Sequence, residues 1–272
     1  MKYRHIIFDA DHTLVDFNED EKRAFRAAFK DTPLSGEETV AEMWKFSYEN
    51  WEELGLNRVN DPDIRKRYHA LYYVHIRALF EHAERRYGLE NADGAEKIFY
   101  RALCSPSCLR EGAWETVKAL SKKYALSIAT NGLSEMQRAR LKEFAPYLTE
   151  LFVSEEMNAI KPSEEFGKIM LDALGAKAEE CLFVGDSLTS DIALANKLRM
   201  DAVWYDPDGR TLPAEYSAVK KNQLAERAEK PLRNVFGGAE GEEPIQQPKR
   251  GNARKRKERT VNNGIPRAEE QQ

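Results

Sequence analysis

Ile6-Ile7-Phe8-Asp9-Ala10-Asp11-His12-Thr13-Leu14 is the stretch from which the fold is read. Three apolar residues run straight into two carboxylates. A short continuous apolar run suits a strand buried on both faces, as in a parallel sheet, and the abrupt change of polarity at its end marks a functional loop. In extended backbone, residues i and i+2 project to the same side, so Asp9 and Asp11 share one small volume. Like charges that close need an offsetting cation or a shared proton. The pair suits Mg²⁺, which takes one or two carboxylates plus phosphate oxygens. It equally suits a nucleophile beside a general acid/base. For this pentapeptide alone, a solvated loop with two acids stands on the same footing.

Outward from this strand, residues 17–105 carry only helical signals. Asn18 is the expected cap of a helix bearing Phe25, Ala28 and Phe29. Asp61-Pro62 opens another, with proline at its first position. Ile64, Tyr68, Leu71, Tyr72, His75 and Leu79 then recur at three and four until Gly88 offers a stop. Asn91 caps a further helix with Ile98, Phe99 and Ala102. From 110 to 234 the pattern alternates: helices are expected over 113–122, 134–144, 163–174 and 190–198, and strands over 125–129, 151–153, 182–184 and 202–205. Repeated βα units imply a parallel sheet with helices on both faces. The predicted fold class is therefore α/β. A Rossmann-like parallel-sheet core spans 1–16 and 106–236, and an all-helical cap is inserted over 17–105. A charged tail over 237–272, too poor in apolar residues to offset its ordering entropy, is expected to be disordered.

In open parallel sheets ligands bind at the carboxyl ends of the strands. The second strand ends in Thr130-Asn131-Gly132, a hydroxyl, an amide and a permissive backbone just before a helix, which would make a phosphate cradle. Read alone it is an ordinary turn. After the third strand, Ile160-Lys161-Pro162-Ser163 holds a lysine beside a proline and a helix-capping serine. A fixed ammonium there would neutralise carboxylates and hold a phosphoryl oxygen, whereas a lone lysine is usually a solvated surface charge. The fourth strand ends in Gly185-Asp186-Ser187-Leu188-Thr189-Ser190-Asp191. Gly185 permits close backbone approach to the site, and Asp186 sits at the strand tip. Asp191 lies in the first turn of a helix, where the helix dipole also favours an acid.

Two aspartates, a hydroxyl, a lysine and two more aspartates at the tips of four successive strands form a specific constellation. It resembles the haloacid dehalogenase superfamily of phosphatases, whose motifs are DxDx[TV], a hydroxyl residue, a lysine and GDx₃₋₄D. The resemblance covers about residues 1–206, and the cap after the first motif is similar to the family's helical type. Within the superfamily, Phe8 to Leu14, Ile128 to Gly132, Gly185 to Ile192 and Trp204-Tyr205-Asp206-Pro207 look like the pyrimidine 5′-nucleotidase branch. Leu194, Lys197 and Arg199 stand where that branch is usually rich in glycine and asparagine.

The resemblance implies a Mg²⁺-dependent phosphomonoesterase acting in two steps. Asp9 would attack phosphorus to give an aspartyl-phosphate, and Asp11 would protonate the leaving oxygen and then deprotonate water. The metal set implied is Asp9, Asp11 (through its backbone carbonyl), Asp186 and Asp191. Thr130, Asn131 and Lys161 would hold the substrate phosphate. The implied substrate is a small phosphorylated metabolite, a nucleoside monophosphate first and a sugar phosphate or other phosphomonoester second. A dehalogenase reading is disfavoured because Asp11 supplies an acid/base that a haloacid enzyme does not need.

Hydrophobic residues make up 42% of the 272-residue chain and charged residues 32%, with a formal charge of −4. No stretch approaches the ~20 apolar residues of a membrane helix. The N-terminus does not read as a signal peptide, and three cysteines do not suggest a disulfide scaffold. A cytoplasmic location is the expectation. The body ahead of Gly237 is acidic, which does not suggest a nucleic-acid-binding domain. Lys249 to Arg259 is a basic run that could make weak, sequence-independent nucleic-acid contact, the basis of a distant alternative in which the chain is a non-catalytic binding protein. His12 is read as structural. Of the cap aromatics, including Trp44, Trp51, Tyr68 and Tyr72, most are read as bundle core, with one or two able to stack on a base.

Overall fold

β1 (His5–Phe8) is the central strand, and its neighbours on both sides are far from it in sequence. The computed structural model describes residues 2–207 and 209–220. The expected tail over 237–272 and its basic run lie outside the described residues. After β1 come four helices: α1 (Phe17–Phe29), α2 (Glu37–Glu53), α3 (Pro62–Tyr87) and α4 (Ala92–Leu103). The chain then alternates through α5 (Ala113–Leu120), β2 (Ala125–Thr130), α6 (Ser134–Arg140), β3 (Glu150–Val153), α7 (Ser154–Met157), α8 (Glu164–Leu174), β4 (Cys181–Gly185), α9 (Ala193–Lys197), β5 (Asp201–Trp204) and β6 (Val219–Lys220).

The sheet order is β3-β2-β1-β4-β5-β6, with every pair parallel. Phe8 is level with Ile128 on one side and Val184 on the other. The carboxyl ends of β1, β2 and β4 therefore lie side by side, which brings three of the four motifs together. One face of the sheet packs Phe8, Leu126, Ile128 and Val184 against Val117, Leu120 and Phe144. The other packs Ile7, Phe183 and Trp204 against Phe166, Met170 and Leu194.

The inserted helices have their own apolar core, in which Phe25 meets Phe99 at a tilt (4.7 Å) and Phe99 meets Phe80 edge-on (5.3 Å). That core continues onto Leu133, Met136 and Ile160, so the cap rests on α6 and on the lysine loop. The two passages between cap and sheet run antiparallel, with Val15 bridging Leu109. Asp16 N–H donates to Cys108 O at 2.8 Å and Arg110 N–H to Leu14 O at 3.0 Å.

Several helix boundaries follow the expected caps. Asp61 accepts from Asp63 N–H and Asn91 from Gly94 N–H, and Gly88 closes α3 at φ 71°. Others differ for local reasons. Asp16, not Asn18, caps α1, accepting from Glu19 N–H at 3.3 Å, because Asp16 is where the extended bridge from Val15 ends. The helix expected over 134–144 stops at Arg140 and continues as a tighter 3₁₀ segment, Lys142–Tyr147, which contains Pro146. The helix expected from Ser190 begins earlier as a π-helical turn, Leu188–Ile192, and α9 follows it. α7 and β6 are too short for periodicity to reveal. Among the described residues, no helix is long and apolar enough to cross a membrane.

Candidate active site

Lys161 is a fully buried ammonium at the centre of the strand tips, only 1% exposed. Its Nζ donates to Asp9 Oδ1 at 2.5 Å, to Ala129 O at 2.7 Å and to Asp191 Oδ1 at 2.7 Å. All three of its N–H bonds have protein acceptors. Asn131 holds the lysine's backbone: its Nδ2 donates to Lys161 O at 2.9 Å and its Oδ1 accepts from Lys161 N–H at 2.8 Å. The amide expected to touch phosphate is thus committed at both ends to placing Lys161.

Asp191 is buried and secures the same lysine from the other side. Its Oδ1 also accepts from Ser190 Oγ at 3.1 Å and its Oδ2 from Ser187 N–H at 3.0 Å. A Cβ on Gly185 would lie 2.3 Å from Asp191 Oδ2. The close approach that requires glycine here is therefore that of the Asp191 carboxylate. Asp186 takes a hydrogen bond from Thr13 Oγ1 at 3.3 Å, and Trp204 Nε1 donates to its carbonyl at 2.9 Å.

Carboxylate oxygens of Asp9, Asp186 and Asp191 all lie within 4.8 Å of one another. Burial pushes the Asp9 carboxyl far up, Lys161 pulls it back, and the neighbouring aspartates push it up again. Burial and then Asp191 raise Asp186 to about 7. Burial alone would lower Lys161, but Asp191 and Asp9 raise it above its ordinary value. Three carboxylates against one ammonium leave a formal charge of −2 when all are ionised. Oxygen donors with that charge deficit fit a hard divalent cation.

Asp11 belongs to a second network. Its Oδ1 accepts from Arg140 Nη2 at 2.7 Å and its Oδ2 from Gln137 Nε2 at 2.9 Å. Gln137 Nε2 also donates to Thr130 Oγ1 at 2.8 Å. Arg140, 2% exposed, pairs further with the buried Asp20 of α1 at 3.1 Å and donates to Ser107 Oγ at 3.0 Å. Burial would raise Asp11, but Arg140 and Gln137 hold it below its ordinary value. Sequence reading missed Gln137, Arg140 and Asp20. The available signal was the spacing of Met136, Gln137 and Arg140, which share the buried face of α6. His12, in left-handed backbone at φ 64°, packs edge-on to Phe17 and lines the same cavity as the aspartates.

That cavity, about 580 Å³, is lined by Asp9, Asp11 and Asp186 at the strand tips and by Glu21, Ser47 and His75 of the cap. Trp44, Trp51, Tyr68 and Tyr72 contribute to its walls. At its cap end Ser47 Oγ donates to Glu21 Oε1 at 2.5 Å and sits 3.2 Å from His75 Nε2, while His75 Nδ1 is 2.8 Å from Asn50 Oδ1. Burial lowers His75 to about 4 and raises Glu21 to about 7, the latter partly offset by Ser47.

Two measurements check this geometry. Gly185→Ala should destabilise the fold by about 1–3 kcal/mol in a denaturant melt, as overpacking does. Gly36→Ala, where an added Cβ meets nothing within 4 Å, should not. The second concerns Glu21. The folded chain keeps a proton on Glu21 that the unfolded chain loses at its ordinary value of 4.5. Stability should therefore fall as pH rises from about 4.5 to about 7, by up to about 3 kcal/mol. Glu21→Gln should flatten that part of the stability–pH curve, and an unaltered curve would contradict the burial of this carboxyl.

The family model for haloacid dehalogenase-like hydrolases matches residues 3–198. The HAD-hydrolase YfnB of Bacillus subtilis (strain 168) is 31% identical over 76% of this chain and 86% of its own. A solved structure of YfnB bound to magnesium covers 87% of this chain and 100% of that one, with a TM-score of 0.66 and 26% identity. The pyrimidine 5′-nucleotidase PynA of Streptococcus pneumoniae (strain ATCC BAA-255 / R6) is 30% identical over 76% of this chain and 85% of its own. The ribulose-1,5-bisphosphate 5-phosphatase of Halopiger xanaduensis is 28% identical over 74% and 84%. With its motifs gathered at one sheet edge and these matches along most of its length, the chain belongs to the haloacid dehalogenase-like hydrolase family, as a phosphoric monoester hydrolase.

Proposed function

We propose that the chain is a Mg²⁺-dependent 5′-nucleotidase acting on nucleoside monophosphates, pyrimidine ones first, in the cytoplasm. The observation that carries this reading is the lining of the cavity. One end gathers the strand-tip aspartates and Lys161, and the other is an aromatic chamber with a polar end. A phosphate and a planar base fit those two ends in one molecule. Similarity to PynA supports the choice.

Asp9 Oδ1 is held by Lys161, which orients the carboxylate and leaves Oδ2 to attack phosphorus. As the Asp9–phosphorus bond forms, the bond to the leaving oxygen breaks and Asp11 gives that oxygen a proton. Arg140 keeps Asp11 ionised at rest. An incoming phosphate dianion raises it, as a like charge does, and so loads it as the acid. In the second step Asp11 takes a proton from water, which attacks phosphorus and breaks the bond to Asp9, releasing inorganic phosphate. Thr130 Oγ1 accepts from Gln137, which leaves its own proton for a phosphoryl oxygen. Lys161 balances the phosphoryl charge, and Asn131 sets its position. Asp9 and Asp186, with Asp191 in the same cluster and the Asp11 main-chain carbonyl, would hold Mg²⁺. Bound there, the ion supplies electrostatic stabilisation of the charge on the phosphoryl oxygens.

The test is hydrolysis of p-nitrophenyl phosphate and of a panel of nucleoside monophosphates and sugar phosphates. Activity should disappear with EDTA and return with Mg²⁺. Asp9→Asn should lower kcat by about 1,000-fold or more in protein that still folds cooperatively. Turnover in fully chelated protein, or near-native rates in Asp9→Asn, would contradict the mechanism. A preference for sugar phosphates over every nucleotide would favour the second reading, which the similarity to the ribulose-bisphosphate phosphatase supports.

A further inference from the structure

Glu21 is a buried carboxyl, 7% exposed, for which the phosphoryl-transfer chemistry has no use. It sits on α1, lines the cap end of the cavity, and is anchored by one oxygen only. Ser47 Oγ donates to Oε1 and lies 3.2 Å from His75 Nε2, and His75 Nδ1 lies 2.8 Å from Asn50 Oδ1; the one N–H of the neutral imidazole serves one of these two contacts. Ser47, His75 and Asn50 are themselves 3%, 4% and 8% exposed. Among the described residues no group donates to Glu21 Oε2, and no cation pairs with this carboxyl. A buried carboxylate left with an empty acceptor facing a cavity costs free energy unless a ligand donor meets it.

The same chamber constrains what that donor belongs to. Trp51 meets Tyr72 and His75 edge-on at 5.1 and 5.3 Å, so rigid rings form its wall beside the Glu21–Ser47–His75 chain. Aromatic walls with a carboxylate acceptor among them suit a planar ring carrying an N–H. An ionised carboxylate only accepts hydrogen bonds. It also repels a second phosphate or a carboxylate on the leaving group, which disfavours bisphosphates and phosphorylated acids.

We infer that Glu21 is the residue that reads the leaving group, its Oε2 accepting a hydrogen bond from an N–H on the base of the nucleotide while Ser47, His75 and Asn50 hold it in place. The inference rests on the nucleotidase reading above and names the base edge that the site reads: a ring imide or exocyclic amine.

The experiment compares kcat/KM at about pH 8, where the carboxylate is ionised. Its substrates are uridine 5′-monophosphate, its 3-methyl analogue (which lacks the ring N–H) and p-nitrophenyl phosphate. The wild-type chain should prefer the uridine substrate over the methylated one by about tenfold or more, the scale of a hydrogen bond to a charged group. In Glu21→Met that preference should shrink to within about twofold, and the ratio of uridine 5′-monophosphate to p-nitrophenyl phosphate should fall about 10–100-fold. Ser47→Ala, which removes the anchor, should lower the same ratio several-fold and serves where Glu21→Met does not fold. A wild-type chain blind to the methyl group, or a preference that survives in Glu21→Met, overturns the inference while leaving the nucleotidase reading intact. A chain that hydrolyses p-nitrophenyl phosphate but no nucleotide overturns both.

Discussion

The buried ammonium of Lys161 is the constraint around which the site is built. Desolvating a lysine is expensive, and the chain offsets it with two carboxylates and a carbonyl at 2.5–2.7 Å. Each partner is in turn held by something specific. Asn131 clamps the lysine's backbone at both ends, the Ser187 amide and Ser190 hydroxyl position Asp191, and Gly185 has no side chain because Asp191 occupies that space. Removing one partner of such a pair strands a buried charge, at a cost of about 3–5 kcal/mol. The excess of carboxylates beyond what one ammonium neutralises is a donor set that fits a divalent cation.

The second buried cation, Arg140, connects sheet to cap. It reaches Asp11 at the tip of β1 and Asp20 on α1, and Asp20 also accepts from Cys108 N–H in the returning passage at 2.8 Å. The residue next to Asp20 is Glu21, turned about 100° round the helix and facing the cavity. One helix therefore carries both the carboxylate that shares Arg140 with Asp11 and the carboxyl that lines the cap part of the cavity.

Much of this was legible in the sequence, for physical reasons. Apolar runs ending in polar residues locate strand tips, and parallel sheets gather their functional groups at carboxyl ends. Asp9, Asp11, Thr130, Lys161, Asp186 and Asp191 could each be singled out that way, and the inserted helices announced themselves through caps at Asp61 and Asn91 and the stop at Gly88. What stayed hidden was the second layer. Arg140, Gln137, Asp20 and Glu21 are polar residues on helices, where the default is a solvated face. Tertiary packing buries them: α1 lies against α2 and α4, and α4 against α6. Asn131 is a phosphate candidate from its place at a strand tip; its bonds to the Lys161 backbone come from the Lys161 loop folding back onto it. Nothing local encodes that return. The exchange of Asn18 for Asp16 as helix cap has the same origin, since the bridge of Val15 to Leu109 decides where extended chain ends.

Nucleophilic attack by Asp9 is the claim on which the chemistry rests. It is tested most directly by mixing excess enzyme and Mg²⁺ with substrate for a single turnover, quenching in acid, and reducing with borohydride before peptide mass spectrometry. An acyl-phosphate on Asp9 is reduced to homoserine at that position. The account predicts homoserine at position 9, absent from samples without substrate. Phosphate released in full with Asp9 recovered only as aspartate at every quench time, or homoserine at Asp186 or Asp191 instead, would contradict it.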